Sequence, residues 1–222
     1  IKGEWIAYVG EPTGEGIGPH TVIMDAEGKT LVPGFIDGHT HLADYQYSPA
    51  EFLRYAMVGG TTTIITETIE PYPILGLEGI VDFLEALKDQ PIKVFATAPA
   101  VASTSARVNI ISAEALEELL ARDEVLGLGE SYWQPVLADP GRFLPRFEAT
   151  LRCGKQLEGH SAGARGRKLM AYVATGVTSC HEPINAEEAL DLLRLGIRVM
   201  IREGGMRRDL KAIAGIREKN VD

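Results

Sequence analysis

Cysteine is scarce in this 222-residue chain: Cys153 and Cys180 are the only two. That excludes a disulfide framework and makes a reducing cytoplasm the default compartment. No apolar stretch approaches the ~20 residues that span a bilayer, and no signal peptide is visible. No C-x-x-C occurs, which excludes the base-flipping zinc deaminases that pair H-x-E with P-C-x-x-C. Positive charge is in deficit: 22 basic residues face 31 acidic ones, for a net charge of −9. An acidic surface argues against a nucleic-acid backbone or an anionic membrane as partner. Histidine is also rare, with five in the chain, so the places where it falls are informative.

What remains is ordinary for a folded domain: 45% hydrophobic and 24% charged residues. The length suggests one domain, or one plus part of a second. Residues 1–32 read as short strands, "WIAYVG" and "HTVIMDAEGKTLVPG", around the Gly-rich loop "EPTGEGIG". We expect part of a small β-sandwich subdomain there. The chain opens on Ile1 inside a β-rich segment, so the natural N terminus is expected further upstream.

Residues 33–222 change texture. Strand patterns fall at 34–41, 61–66, 91–98, 125–130, 155–160, 176–181 and 197–203. Helical patterns lie between them. Ser48, Pro49 and Glu51 read as N-cap, first helical residue and capping-box partner. Ser112 reads as a cap, Asp139-Pro140 as a helix start, and Asn185 with Glu188 as a second capping box. Strands in strict alternation with helices mean a parallel sheet in an α/β fold. Seven such units predict a (β/α)8 TIM-like barrel, truncated after strand seven. A doubly wound sheet is the alternative, but no G-x-G-x-x-G follows the first strand.

The histidines fit the barrel. In "PGFIDGHTH", His39 and His41 are two residues apart at a strand end. Residues i and i+2 of a strand share a face, ~7 Å apart along it, so the two imidazoles can converge. Glu130 ends "GLGE", His160 ends "LEGH" and His181 ends "TSCH". Each is at a strand C terminus, where barrel enzymes keep their chemistry. Taken singly, each has a plain alternative: a satisfied polar residue at a strand end, or a surface carboxylate. Jointly, four of five histidines land on one expected rim, and His20 is left as a surface residue. Imidazole plus carboxylate suits Zn, Mn or Fe. Such ions make hydroxide from water near neutral pH, which points to hydrolysis at a C–N or C–O centre.

"PGFIDGHTH", "GTTT", "GLGE", "GH" and "HE" together resemble the amidohydrolase superfamily. The block from "LEGHSAGARG" to "MIREG" resembles its adenine deaminase branch. The resemblance covers nearly the whole chain. It implies that two divalent ions (Mn, Fe or Zn) are held by His39, His41, Glu130, His160 and His181, with Glu130 bridging. It implies that Glu130, His160 and His181 take part in catalysis, and that adenine is converted to hypoxanthine and ammonia by metal-bound hydroxide. The small-molecule substrate would be a purine base or cyclic amide, and the enzyme a cytoplasmic homo-oligomer.

Departures from the branch lie on the substrate side. Glu67, Thr68, Ile69 and Glu70 replace its D-P-H-E. Ala100 and Val101 replace Ser and Cys after Pro99, and "SYWQ" replaces its Met-Asn pair. Cys180 and Gly205 replace an Asp and a Ser. The superfamily also places an Asp after strand eight, a role not assigned to the terminal Asp222. A chain without strand eight is expected to be a fragment with little turnover, or to be completed by a partner.

Several residues carry two readings. Arg202 and Glu203 contact substrate or form a rim ion pair. Tyr132 and Trp133 stack a flat ring or anchor a loop. Glu67 competes with Glu130 as the bridge, with Glu130 preferred. Glu182 is expected to point away from His181, solvated in the loop or, as the lesser reading, supporting the metal ligands from behind. Cys180 packs as a small apolar residue. Other reactions stay open: opening a cyclic imide, dihydroorotase-like chemistry, or cleavage of an acyl-amino acid. Those substrates carry carboxylates and want an arginine, for which Arg107, Arg165 and Arg202 are candidates. Metal binding without turnover is the remaining class.

Overall fold

The computed structural model describes residues 1–11, 14–44, 47–100 and 110–219. Val101, Arg107 and Asp222 lie outside the described residues. Two compact units are present, Ile1–Pro33 and Gly34–Asp222. Among the described residues of the first, the only pairing is an isolated antiparallel bridge between Lys2 and Trp5. The strand-like segments form no ladder there, because a strand needs a partner for its backbone groups and none runs alongside within these residues.

The second unit is built on seven strands: β1 (Phe35–Thr40), β2 (Thr61–Thr66), β3 (Lys93–Ala98), β4 (Val125–Tyr132), β5 (Gln156–His160), β6 (Ser179–Cys180) and β7 (Arg198–Val199). All pair in parallel, in the order β1 to β7. A doubly wound sheet reverses its strand order at a switch point; this one never reverses, so it is a (β/α)-barrel sheet. It also curls. A Cβ on Gly38 in β1 would lie 2.7 Å from Sδ of Met200, the residue just after β7. An eighth strand is not among the described residues.

Helices α1 (Pro49–Val58), α2 (Tyr72–Ala86), α3 (Ala113–Leu120), α4 (Trp133–Ala138), α5 (Pro140–Arg152), α6 (Gly166–Val173), α7 (Ala186–Arg194) and α8 (Leu210–Ile213) fall between and after the strands. The caps explain several starts. Ser48 Oγ accepts from Glu51 N–H at 3.3 Å, but the Glu51 carboxylate pairs with Arg54, so only half of that box forms. In the second box Asn185 Oδ1 accepts from Glu188 N–H at 3.0 Å, and Glu188 Oε2 accepts from Ile184 N–H at 3.2 Å. Asp139 makes no side-chain cap. Gly76, with φ +65, breaks α2 between its first turn and the rest of the helix.

Four elements differ from expectation. β4 runs two residues past Glu130. α4 was not foreseen: it is six residues long, contains Pro135 and has no side-chain cap, so it shows no helical signature in the sequence. β6 and β7 are two residues each, although inter-strand hydrogen bonds extend to Thr178 and Met200. The main core lies between sheet and helices and is filled by Ile80, Leu116, Leu119, Leu128, Phe147 and Leu157, each at most 1% exposed. With that side filled, the polar strand ends are left to the other face and the rim.

Candidate metal centre

The C-terminal ends of five strands deliver the site. His39 is in β1 and His41 one residue beyond it; Glu67 follows β2; Glu130 lies in β4; Glu158 and His160 end β5; His181 and Glu182 follow β6. Four imidazoles converge on one atom, Glu130 Oε1. His181 Nε2 is 3.0 Å from it, His39 Nε2 3.2 Å, His160 Nδ1 3.4 Å and His41 Nε2 3.5 Å. His39 Nε2 and His41 Nε2 approach each other to 3.0 Å. The β-strand pair, ~7 Å apart by strand rise, thus folds its rings together at the tips.

The glycines of "GLGE" and "LEGH" are steric requirements. A Cβ on Gly127 would sit 2.0 Å from Gln156 O of the neighbouring strand. On Gly129 it would sit 2.1 Å from a Glu67 carboxylate oxygen and 2.6 Å from Thr97 Oγ1. Glu67 needs that space, because its two oxygens accept the Glu130 N–H at 3.3 Å each. Gly129→Ala therefore displaces Glu67 and, through it, Glu130. We expect a loss of about 1–3 kcal/mol from overpacking together with reduced bound metal, read by thermal unfolding and elemental analysis. Full metal content in a stable Gly129→Ala protein would contradict this.

Burial acts against every charge here, and the partners decide the outcome. Burial pushes the Glu130 carboxyl up, but the four imidazoles packed against it, His160, His181, His39 and His41, outweigh burial and hold Glu130 well below the usual carboxylate range. Burial lowers His41, yet bonds to Glu130 and Glu70 raise it to about 10. His181 and His39 are raised the same way, through Glu130 and Glu158. Glu67 goes the other way: burial and the Glu158 charge outweigh the nearby His39 and lift it to about 8. Without a cation other than the proton, these histidines must protonate to balance the carboxylates.

The donor set fits divalent metal. His39, His41 and Glu130 form one cluster with ligand atoms within 4.8 Å of one another, and Glu130, His160 and His181 form a second. Glu130 belongs to both. His160 Nδ1 is buried without a hydrogen-bond partner, as a nitrogen reserved for a ligand bond would be. Imidazole and carboxylate together are the ligands of Zn, Mn and Fe.

The remaining expected residues divide. Tyr132 reaches the site: its hydroxyl donates to Glu130 Oε2 at 2.9 Å and its ring lies 4.2 Å from that of His160. Trp133 Nε1 donates to Ala162 O at 2.8 Å, and its ring takes part in two core clusters, which makes it a loop anchor. Glu203 is exposed and accepts from Leu210 N–H at the start of α8, away from the imidazoles. Arg202 Nη1 pairs with Glu182 at 2.5 Å, while its Nε and Nη2 are buried without a hydrogen bond. Arg165 is held by Glu188 at 2.5 Å, Cys180 packs with Leu169, Leu192 and Ile197, and His20 is exposed.

Glu182 corrects the expectation of a solvated side chain. Its carboxylate lies 3.3 Å from His181 Nε2 and 3.7 Å from His160 Nε2. Strand alternation does not apply to it, because β6 ends at Cys180. Sequence reasoning also missed Glu158 and Tyr172. Glu158 precedes His160 by two residues in a strand, so the shared-face rule that paired His39 with His41 applies to it equally. Tyr172 reaches from α6, where its hydroxyl donates to Ser131 O and accepts from His160 N–H at 3.0 Å. Nothing in its local sequence marks that bond. Tyr172→Phe leaves two buried backbone groups without this partner. The expected cost is about 1–3 kcal/mol, or roughly 2–4 °C in Tm per kcal/mol, and an unchanged Tm would count against it.

Residues 30–143 match the model of the amidohydrolase family. The chain is 38% identical over 217 residues to an adenine deaminase of Cenarchaeum symbiosum, covering 96% of this chain and 36% of that protein. It is 37% identical over 229 residues to an adenine deaminase of Moorella thermoacetica, covering 100% of this chain and 38% of that one. A third, from Deinococcus deserti, is 39% identical over 208 residues. The chain thus spans a little over a third of the length of the curated relatives it matches. The crystal structure of N-isopropylammelide isopropylaminohydrolase from Burkholderia multivorans superimposes with a TM-score of 0.50 at 18% identity, covering 82% of this chain and 60% of that one, a likeness of fold alone.

Proposed function

The chain belongs to the amidohydrolase family, and from that premise we propose that it binds two divalent ions and serves the hydrolytic deamination of adenine. Adenine and water would give hypoxanthine and ammonia. The observation that carries the metal reading is the convergence of four imidazole nitrogens within 3.5 Å of one carboxylate oxygen, Glu130 Oε1. The substrate is supported by relatives named adenine deaminase at 36–39% identity.

In this proposal His39 and His41 hold one ion, His160 and His181 the other, and Glu130 is shared. Manganese, iron or zinc would act as Lewis acid and make hydroxide available from water near neutral pH. The chain supplies positioning. Tyr132 fixes the second oxygen of Glu130 by its 2.9 Å hydrogen bond. Glu70 Oε1 holds His41 Nδ1 at 2.5 Å, while its Oε2 is buried with no hydrogen-bond partner. In this proposal that oxygen would take a proton from the attacking water and return it to the leaving amine. A cytoplasmic homo-oligomer acting on a small purine base completes the proposal.

Arg202 favours a second reading. Its Nη2 is buried without a hydrogen bond, and its Nε has only Asp209 Oδ2 at 3.7 Å; a substrate carboxylate would satisfy them. Cyclic imides, dihydroorotate and acyl-amino acids offer carboxylates or carbonyls to such a group; adenine offers neither. The test separates binding from turnover. Protein purified without chelator and supplied with Mn²⁺ is expected to hold about two ions per chain and to bind adenine, with little ammonia released, as expected of a chain without strand eight. Two ions with no adenine binding would overturn the adenine reading and direct the screen to cyclic amides. No bound ion would overturn the metal centre itself.

A further inference from the structure

Below the four imidazoles lies a carboxylate that the metal reading does not use. Glu158 is 5% exposed. Its Oε1 lies 2.6 Å from His39 Nδ1 and 3.3 Å from His181 Nδ1. The contact to His181 is a hydrogen bond; the shorter one to His39 is off the line of the ring N–H. The two rings are stacked, with centroids 3.6 Å apart and planes 13° from parallel. One oxygen therefore touches the Nδ1 atoms of two imidazoles that have different partners around Glu130, His39 with His41 and His181 with His160, while His39, Glu158 and His181 form a third cluster of their own.

We propose that Glu158 is a positioning residue shared by both metal sites, hydrogen-bonded to His181 Nδ1 and in charge contact with His39 Nδ1, so that the Nε2 atoms of both rings are left to face Glu130. This rests on the dinuclear reading above. Glu158 is not itself a ligand of a third ion here. An imidazole that bound cations at both nitrogens would have to give up its remaining proton, whereas a carboxylate at Nδ1 fixes the tautomer and raises the basicity of Nε2. Glu70 provides the internal contrast. It occupies the same position behind one ligand only, His41 Nδ1. A partner behind one ligand tunes one site; a partner behind two ligands from different clusters tunes both.

The experiment is a Mn²⁺ titration by calorimetry, with electron paramagnetic resonance to detect spin coupling between paired ions. Wild type, Glu158→Gln, Glu158→Asp and Glu70→Gln are compared. The usual loss on removing such a partner is about 10–100-fold in metal affinity. That loss is expected at both sites in Glu158→Gln and at one site in Glu70→Gln. Glu158→Asp keeps the charge but withdraws the oxygen by one methylene, and is expected to weaken both sites by less. If Glu158→Gln fails to fold, as judged by circular dichroism, Glu158→Asp decides alone. A Glu158 variant that binds both ions with wild-type affinity, or loses affinity at one site only, overturns the proposal. A wild type that binds no Mn²⁺ fails the dinuclear reading first and is distinguished by that.

Discussion

Glu130→Ala is expected to bind neither ion, whereas His41→Ala is expected to keep one. Elemental analysis of wild type, His41→Ala and Glu130→Ala should therefore descend as about two, one and zero ions per chain. Removal of a ligand held by both clusters should exceed the roughly 10–100-fold affinity loss typical of groups behind the ligands. The reason is geometric. Glu130 Oε1 is the one atom within 3.5 Å of all four imidazoles. In the metal-free protein the same substitution strips four buried or half-buried histidines of their common acceptor. Breaking a buried pair by removing one partner costs about 3–5 kcal/mol, so a lowered Tm should accompany the lost metal. Among the described residues Glu67 and Glu158 are the neighbours that could stand in. Glu158 is engaged by His39 and His181 Nδ1. Glu67 is already engaged by the Glu130 N–H, which the alanine variant retains. Retention of two ions by Glu130→Ala would move the bridging role to Glu67 or Glu158 and refute the assignment.

The sheet was legible because its strands carry the right local chemistry. "TTTIIT" is β-branched throughout, and the structure makes it β2 with the expected limits. Ser48, Ser112 and Asn185 all accept the predicted N–H three residues on. Legibility failed where the ladder stops. Alternation placed His39 and His41 together, and the tips do meet at 3.0 Å. The same rule misplaced Glu182, because the chain leaves β6 before reaching it. Glu158 was legible and overlooked: its parity with His160 is written in "LEGH". Arg202 was legible as a residue and not as a geometry, since its pairing with Glu182 joins two loops 20 residues apart. Tyr172 lay beyond any local rule. Its bond to His160 N–H depends on how α6 packs over β5, and only the assembled core sets that.

Metal should stabilise this fold more as pH rises, and the metal-free protein should lose stability over the same range. The sign follows from which state holds more protons. His41 is raised from 6.5 to about 10, so its contribution is fully present below pH 6.5 and is lost as pH climbs through 10. Glu67 is raised from 4.5 to about 8; the folded chain keeps that proton after the unfolded chain has released it, so stability also falls between those values. Glu182 works at the other end. Burial raises it, but His181 and the charges of His160 and Arg202 bring it down to about 2; its contribution is present above 4.5 and lost as pH falls through 2. The metal-free protein is therefore expected to be most stable near pH 5 and to weaken steadily toward pH 9. Divalent ions compete with protons for the histidine nitrogens, and binding releases those protons. The gain in Tm from saturating Mn²⁺ over EDTA should be small at pH 6 and several-fold larger at pH 9, as ligand binding to the folded state alone requires. Scanning calorimetry at those two values checks it. A gain that is flat or shrinks with pH would mean that the protonated histidines are not the nitrogens that metal displaces, and that the convergence on Glu130 is a buried ion-pair network rather than a metal centre.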